Sequence, residues 1–323
     1  MARFSKQRIL VLGDIMADEY IWGSVSRLSP EAPVPVVEVK AESVRLGGAG
    51  NVAANVRSLG GAAILVGVVG NDPVGERLID QLEAAGIKSD GVLVDRTRPT
   101  TVKTRVIAGS QQVVRFDRES VLDLSKEVTE RLLEAATERL GEADALVISD
   151  YAKGVMSTRV ARQILPLARR RKKIIVVDPK VPHLPLYKGA TVVTPNHHEA
   201  LAAARPALRG RQDLVAAGRE MFRKLDVGGV VVTRGDQGMS VFENGRVTHI
   251  PAVGKEVYDV TGAGDTVIAA LGLALAAGAS LREAAIIANH AAGVVVGKVG
   301  TATVSQRELL NAMKEKERVK ERV

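Results

Sequence analysis

The stretch Asp259-Val-Thr-Gly-Ala-Gly-Asp-Thr266 stands directly before a long apolar segment, Val267 to Ala277. Glycines at 262 and 264 let the backbone adopt a positive φ and come close to a ligand. We therefore expect the N–H groups of this turn and of the first helical turn to face an anion at the positive end of the helix dipole. The sequence predicts a phosphate-binding turn built from Gly262, Ala263 and Gly264.

Asp265 is the second of two acidic residues that bracket this turn. A carboxylate in a first helical turn often serves only to cap the helix or to complement its dipole, which is the structural alternative for Asp265. A general base for phosphoryl transfer must lie beside the group that is transferred. The two carboxylates around Gly-Ala-Gly favour this second interpretation, with Asp265 as the base.

The composition predicts a globular α/β protein. The chain has 323 residues, of which 46% are apolar, 25% charged and only 3% aromatic. Its core must therefore be built from Val, Leu, Ile and Ala, which suits parallel strands covered by helices. There are no cysteines, which excludes disulfides and thiolate metal sites. The apolar run within residues 1–13 is too short for a signal peptide or a membrane span, so we expect a cytoplasmic protein without membrane partners.

The net charge of +8 raises the possibility of nucleic-acid binding. Against it, the basic residues are dispersed among acids, and no nucleic-acid-binding motif is found. We therefore expect no nucleic-acid partner. A basic surface would equally suit two small anionic ligands, such as a nucleotide and a sugar phosphate.

Helical and strand patterns alternate from residue 124 onward. This alternation predicts a parallel sheet built from βαβ units. The predicted helices are 125–140, 157–171, 197–203 and 211–225, and the predicted strands are 144–148, 173–177, 190–194 and 229–233.

Two segments differ from this pattern, approximately residues 19–40 and 98–118. The first is rich in proline, which is typical of an edge strand outside the main sheet. The second alternates with period two on either side of Ala108-Gly-Ser110, which indicates a hairpin. We expect these segments to form a small separate β-sheet.

Polar residues follow several predicted buried strands, at the edge of the sheet where α/β proteins bind ligands. Asp14 and Asp18 come after the first strand, and Lys153 and Lys180 come after two later ones. Asn196, two histidines and Glu199 follow a further strand. The two histidines with Glu199 allow a metal-site interpretation, but the spacing of known zinc motifs is absent.

Three of these motifs resemble the signatures of the ribokinase-like carbohydrate kinases, also called the PfkB family. Residues 259–265 match the second family signature, residues 45–56 match the first, and Asn196 to Glu199 match the family's N-x-x-E motif. Val260 replaces the Thr usual in the second signature, which bears on the monovalent cation bound by some members. The resemblance covers nearly all of residues 5–310.

The resemblance implies a fold and a set of ligands. The fold is α/β and ribokinase-like, with a mostly parallel central sheet flanked by helices and a small β-sheet lid that often forms a homodimer. We expect the kinase domain to cover residues 1–313, followed by a charged helix or tail at 314–323. The implied reactants and cofactors are ATP, Mg²⁺ and a sugar, with a monovalent cation in some relatives.

The resemblance also implies residue roles. Asp18, with Asp14 as a second candidate, binds sugar hydroxyls together with Gly47, Gly48 and Asn51. Asn196 and Glu199 help to hold Mg²⁺, often through water. The residues expected to contact the nucleotide are Thr233, Gly235, Gly238 and Asn289.

Within the family, four stretches look most like the kinases that phosphorylate a heptose 7-phosphate at its anomeric hydroxyl. They are residues 26–36, 114–119, 150–154 and 178–180. This similarity implies that Arg115, Lys153 and Lys180 contact the phosphate of the acceptor. In many such proteins a nucleotidyltransferase is fused to the kinase, and here we expect a separate protein to perform that step.

Two alternatives stay open on sequence alone. One is a kinase of another sugar, such as fructose, ribose or a nucleoside. The other is a sugar-binding or nucleotide-binding regulator without catalysis, against which the presence of Asp265 argues. A Rossmann-type oxidoreductase would need a dinucleotide fingerprint, which the sequence lacks.

Overall fold

The computed structural model describes residues 1–109, 111–209, 212–253 and 257–320, with side chains through Lys314. Ser110 of the predicted hairpin and the last three residues of the predicted tail lie outside the described residues. The strands are β1 (Arg8–Gly13), β2 (Ile15–Leu28), β3 (Pro35–Gly48), β4 (Ala62–Gly70), β5 (Val92–Asp95), β6 (Thr101–Ala108), β7 (Gln111–Arg118), β8 (Ala145–Ser149), β9 (Ile174–Asp178), β10 (Val192–Val193), β11 (Gly229–Thr233), β12 (Met239–Glu243) and β13 (Arg246–Ile250). The helices are α1 (Ala49–Ser58), α2 (Pro73–Ala84), α3 (Lys126–Glu142), α4 (Thr158–Arg170), α5 (His197–Leu208), α6 (Leu214–Leu225), α7 (Ala263–Ala276), α8 (Leu281–Val295) and α9 (Gln306–Lys320).

The main sheet has nine strands in the order β13-β12-β11-β10-β9-β8-β1-β4-β5. All neighbours from β11 to β5 pair in parallel, whereas the β11–β12 and β12–β13 pairs are antiparallel. The predicted α/β fold with a mostly parallel central sheet is therefore confirmed.

Strand β1 shows how helices cover both faces of this sheet. Ile9 and Val11 pack with α1, α2, α7 and α8 on one face, and Leu10 and Leu12 pack with α3 to α6 on the other. Successive strand side chains point to opposite faces, so an unbroken apolar strand needs a helical layer on each side.

A second sheet has four strands in the order β3-β2-β6-β7, and we call it the lid sheet. It confirms the predicted small sheet, with the proline-rich β3 on one edge and the β6–β7 hairpin on the other. The first segment is longer than predicted, since its strands begin at Ile15 and end at Gly48. The reason is that β2 and β3 stay paired down to Ile15 and Gly48, where the chain enters α1.

Two further details differ from the sequence prediction. Asp18 does not lie in a loop beyond β1 but within β2, because the lid sheet begins two residues after β1 ends. The strand predicted at 190–194 is reduced to Val192–Val193, because only these two residues of the segment pair in register with both β9 and β11.

The carboxyl ends of β1, β8, β9 and β10 lie side by side, since these strands are parallel neighbours. The first turn of α7 and the base of the lid sheet lie at the same edge, as the contacts below show. In the part of the chain that the structure describes, no helix combines the length and the apolar character required to cross a membrane.

Candidate active site

The glycine-rich turn ends at Gly262, whose φ of 77° lies in the left-handed region. A Cβ at Gly262 would stand 2.7 Å from the Asn51 side chain, so only glycine fits here. Gly264 differs from the prediction, because it lies inside the first turn of α7 and has no positive φ. Its lack of a side chain keeps that turn open instead.

The first turn of α7 offers free N–H groups. The N–H of Ala263 donates to the carbonyl of Val260 at 3.2 Å. The N–H groups of Gly264 and Asp265 have no hydrogen-bond partner among the described residues. The first N–H groups of a helix have no partner within it and carry partial positive charge, so these two suit an anion.

Asp265 lies at this turn and is 2% exposed. Its Oδ2 accepts a hydrogen bond from Asn51 Nδ2 at 2.9 Å, and its Oδ1 accepts one from the Tyr151 hydroxyl at 2.8 Å. Burial raises the pKa of Asp265 to about 6, although both hydrogen bonds act in the opposite direction. The carboxylate is therefore fixed in orientation, ionised at neutral pH and more basic than an exposed aspartate.

Asp14 organises the loop that carries Tyr151. Its carboxylate accepts hydrogen bonds from the backbone N–H groups of Tyr151 at 2.8 Å, Lys153 at 3.2 Å and Val155 at 3.2 Å. Burial raises the pKa of Asp14 to about 6. All three contacts are to backbone, so Asp14 positions the loop after β8, in addition to any contact with a sugar.

Asp18 lies beside the turn between β3 and α1. It forms a buried ion pair with Arg105 at 2.6 Å and accepts a hydrogen bond from the Thr301 hydroxyl at 2.9 Å. Gly47 lies against Asp18, since a Cβ there would stand 2.5 Å from Asp18 Oδ2. Gly48 lies near Asp14, since the next residue, Ala49, donates its N–H to the Asp14 carbonyl at 3.0 Å. The structure thus brings Asp14, Asp18, Gly47, Gly48, Asn51 and Asp265 together.

Asn196 and Glu199 form a capping box at the start of α5. Asn196 Oδ1 accepts from the Glu199 N–H, and Glu199 Oε2 accepts from the Asn196 N–H, both at 2.9 Å. The other carboxylate oxygen, Oε1, accepts a hydrogen bond from Lys180 Nζ at 2.6 Å. Glu199 therefore has a structural role of its own, and Lys180 lies beside it.

Asp178 ends β9 and was not among the predicted site residues. The Asp178 carboxylate makes a weak hydrogen bond with Thr194 at 3.4 Å, and its Oδ2 lies 3.8 Å from the position of a Cβ at Gly264. Burial raises the pKa of Asp178 to about 8. Within the described ranges, no cluster of three or more His, Cys, Asp and Glu side chains is arranged to hold a metal ion.

A cavity of about 500 Å³ opens on the other side of the glycine-rich turn. Its walls are mostly apolar and include Val253, Val257 and Val296. The predicted nucleotide residues Thr233, Gly235, Gly238 and Asn289 all line it, together with Ala263 and Gly264. Asn289 Nδ2 also donates to the Pro251 carbonyl at 2.8 Å, which fixes one wall. An apolar cavity that meets free helix N–H groups suits a base with an attached phosphate chain.

The cations predicted to contact an acceptor phosphate each have a carboxylate partner of their own. Arg115 pairs with Asp117 at 2.6 Å on the exposed strand β7, and Lys153 pairs with Glu119 at 2.5 Å. Lys180 is paired with Glu199, as described above. The three cations therefore have three different partners.

Besides Asp178, three functional candidates were missed by the sequence analysis: Tyr151, Lys103 and Arg105. Tyr151 lies inside the stretch 150–154, but a single tyrosine after a strand carries no distinctive signal. Lys103 and Arg105 are two cations at alternate positions of a predicted strand, so they share one face. That alternation was the available signal, and it could not show that the face meets Asp265.

The protein has a ribokinase-like α/β fold with a small second sheet. It also has a buried carboxylate at a helix N-terminus, beside a cavity large enough for a nucleotide. These features are those of the sugar kinases, which transfer a phosphoryl group to an alcohol. The chain belongs to the pfkB family of carbohydrate kinases, whose family model matches residues 6–308. The predictions of a kinase and of the family are thereby confirmed.

A curated relative is the bifunctional protein HldE from Geobacter sulfurreducens, which is 45% identical over 305 residues. The match covers 94% of this chain and 62% of the length of that relative. The chain thus spans less than two thirds of the bifunctional protein and corresponds to its kinase portion.

Solved structures confirm the fold. The Arabidopsis thaliana ribokinase complexed with ribose and ATP matches with a TM-score of 0.75 at 20% identity, covering 95% of this chain and 99% of that chain. Phosphofructokinase-2 from Escherichia coli in complex with potassium matches with a TM-score of 0.76 at 20% identity, covering 95% and 97% of the two chains.

Proposed function

We propose that this chain transfers the γ-phosphoryl group of ATP to the anomeric hydroxyl of a heptose 7-phosphate, giving a heptose 1,7-bisphosphate for lipopolysaccharide precursor synthesis. The observation that carries the transfer chemistry is the Asp265 carboxylate, held by Asn51 and Tyr151 beside two helix N–H groups that have no partner among the described residues. The heptose substrate is supported by the four similar stretches and by the 45% identity to an HldE protein.

The reaction balances with Asp265 as general base. The Asp265 carboxylate takes the proton of the sugar hydroxyl as the hydroxyl oxygen forms its bond to the γ-phosphorus. The bond from that phosphorus to the bridging oxygen breaks in line, and ADP leaves with the bridging oxygen. The N–H groups of Gly264 and Asp265 are positioned to stabilise the negative charge of the transferred group.

Asp178 and Glu199 fit the role of holding a magnesium ion together with water and the nucleotide phosphates. Asp178 ends β9, and Glu199 lies in the first turn of α5, which follows the neighbouring strand β10. Their mutual repulsion contributes to the raised pKa of Asp178 after the larger effect of burial. Mg²⁺ is typically held by one or two carboxylates plus water and phosphate, so the absence of a preformed cluster in the described residues suits it. When bound, the ion offsets the charge of the phosphates.

On the acceptor side, we assign the sugar hydroxyls to Asp14, Asp18 and Asn51, beside Gly47 and Gly48. Arg115 and Lys153 are the candidates for the phosphate of the acceptor, since both belong to the heptose-like stretches. Lys180 Nζ donates to Glu199 and lies 5.2 Å from the centroid of the Tyr151 ring, so we assign it to the phosphates of ATP.

An ADP-release assay across a panel of acceptors tests this function. The panel contains heptose 7-phosphate, the unphosphorylated heptose, fructose, ribose and a nucleoside. We expect kcat/KM for heptose 7-phosphate to exceed that for each other acceptor by at least tenfold. Equal or faster turnover of fructose or ribose would replace the heptose assignment, and absence of ADP release with every sugar would favour a non-catalytic regulator.

We also propose that the lid sheet forms a homodimer and that the enzyme works in the cytoplasm, where ATP is available. The support for the dimer is a set of exposed apolar side chains on the lid strands, namely Val25, Leu28, Val39, Val114 and Phe116. Large exposed apolar patches commonly mark an interface. Phe116→Lys should shift the mass in solution from dimer to monomer, and a wild-type monomer in light scattering would contradict the proposal.

A further inference from the structure

Lys103 lies on the face of the lid sheet that meets the active site. On β6 it stands opposite Asp18 of β2 and opposite Asp117 of β7. Residues in direct register share one face of a sheet. Lys103 therefore belongs to the same face as the Asp18 carboxylate, which lies beside Gly47 at the base of the lid sheet.

Lys103 differs from the other cations of the site because its ammonium has no ionic partner among the described residues. Arg105 is paired with Asp18, Arg115 with Asp117, and Lys180 with Glu199. The ammonium of Lys103 makes no hydrogen bond and no ion pair with any residue that the structure describes. Among these residues it contacts the Tyr151 ring, whose centroid lies 4.6 Å from Nζ.

The Tyr151 ring connects Lys103 to the base. The hydroxyl of the same ring donates to Asp265 Oδ1 at 2.8 Å. The ammonium of Lys103 is thus one aromatic ring away from the carboxylate that faces the attacking hydroxyl. A cation over an aromatic face is held in place without being neutralised.

Acidic groups lie near Lys103, but none of the described residues forms an ion pair with its ammonium, which favours the arrival of an anion. Burial lowers the pKa of Lys103, while the charges of Asp18 and Asp265 act in the opposite direction. A half-buried ammonium without a direct partner is costly, and an anionic ligand removes that cost.

We propose that Lys103 binds the phosphoryl group during its transfer and so acts as a catalytic residue supplied by the lid sheet. The inference rests on the proposed function, with Asp265 as the base. The transferred group must lie between ATP and the hydroxyl that faces Asp265, within reach of a side chain one ring away. The phosphate that the acceptor already carries lies at the opposite end of the sugar, so Lys103 is not placed to bind it.

The lid sheet then has a chemical role as well as a covering one. It brings the ammonium of Lys103 to the transferred group from the acceptor side. The N–H groups of Gly264 and Asp265 approach the same group from the first turn of α7. Preorganised cations and donors aimed at developing charge are the main source of catalysis in phosphoryl transfer.

The first test compares Lys103→Met with wild type on two acceptors, heptose 7-phosphate and the unphosphorylated heptose. We expect kcat to fall on the order of 10²-fold on both acceptors with little change in either KM, as for loss of one transition-state donor. Lys40→Met is the matched control, since Lys40 is an exposed lysine of the lid sheet. A rise in KM confined to the phosphorylated acceptor would overturn the proposal.

The second test does not depend on turnover. ADP with aluminium fluoride and the sugar mimics the transferred phosphoryl group, and its affinity is measured by calorimetry. Lys103→Met should weaken that complex on the order of 10²-fold while leaving the affinity for ADP alone unchanged. Equal affinity of wild type and variant for the mimic would also overturn the proposal.

These measurements separate the inference from the proposed substrate. If wild type prefers another sugar to heptose 7-phosphate, the heptose assignment fails, and Lys103→Met is then assayed on the preferred sugar. A loss of kcat there supports Lys103 whatever the acceptor is, and an unchanged kcat removes Lys103 from the chemistry.

Discussion

The pH dependence of the Asp265 base can be worked from the structure. Burial raises its pKa from an ordinary value of 3.8 to about 6. This difference corresponds to about 3 kcal/mol in favour of the protonated form. A base must be ionised to accept a proton, so activity is present above pH 6 and is lost as the pH falls below it. At pH 5 we expect kcat/KM roughly tenfold below its plateau.

Asp265→Asn removes the base while preserving the contacts around it. The amide oxygen can accept from Asn51 and the amide nitrogen can donate to the Tyr151 hydroxyl, so both hydrogen bonds have a substitute. We expect kcat to fall by a factor on the order of 10² to 10⁴, with little change in nucleotide affinity. The folded pKa exceeds the unfolded one, so the buried charge destabilises the fold above pH 6. The variant should therefore melt no lower than wild type at pH 7.

Tyr151→Phe provides a second check on the same group. The hydroxyl of Tyr151 lowers the pKa of Asp265, so its removal should move the acid limb of the profile to higher pH. The assay is ADP release between pH 5 and pH 9, with nucleotide affinity from calorimetry. A folded Asp265→Asn variant with near wild-type turnover, or a flat wild-type rate down to pH 5, would refute the assignment of Asp265 as base.

Three further substitutions test other parts of the site. Glu199→Gln keeps a capping box, so the melting temperature should be unchanged while the Mg²⁺ concentration for half-maximal rate rises. Glu283→Gln, in the equivalent capping box of α8, is the control. An unchanged Mg²⁺ titration would leave Glu199 a purely structural residue. Arg105→Ala leaves the buried Asp18 charge without its ionic partner and should lower the free energy of unfolding, measured in urea, by about 3 kcal/mol. Arg27→Ala, at an exposed position, should lower it by almost nothing. A loss below about 1 kcal/mol for Arg105→Ala would show that the Thr301 hydroxyl suffices for Asp18. Gly238→Ala places a Cβ 2.1 Å from the Ile250 carbonyl oxygen and should raise KM for ATP. Gly245→Ala is the control, since Gly245 has a similar positive φ but open space around it. An equal rise in KM for both variants would attribute the effect to backbone strain alone.

Local sequence was sufficient for many of the elements and for the position of the glycine-rich turn. Strand β8, predicted at 144–148, is observed at Ala145–Ser149, because a short apolar run can be recognised from its own residues. The position of Asp265 in the first turn of α7 follows in the same way from the order of glycines and apolar residues. The predicted roles of the other site residues came from resemblance to a family. The contact between Lys180 and Glu199 could not be predicted from residues 178–180 or from residues 196–199 alone.

The chain's own residues thus determined an α/β fold, a separate lid sheet and a carboxylate at a helix N-terminus, because periodicity and glycine placement are local properties. Tertiary structure alone decided which side chains surround that carboxylate. Asn51 and Asp265 are 214 positions apart, and Tyr151 and Asp265 are 114 apart, yet both pairs are in hydrogen-bond contact. The raised pKa of Asp265 likewise depends on burial by distant segments, and so does the unpaired charge of Lys103. Long-range proximity follows from how β2, β6, β8 and α7 converge, which no local pattern encodes.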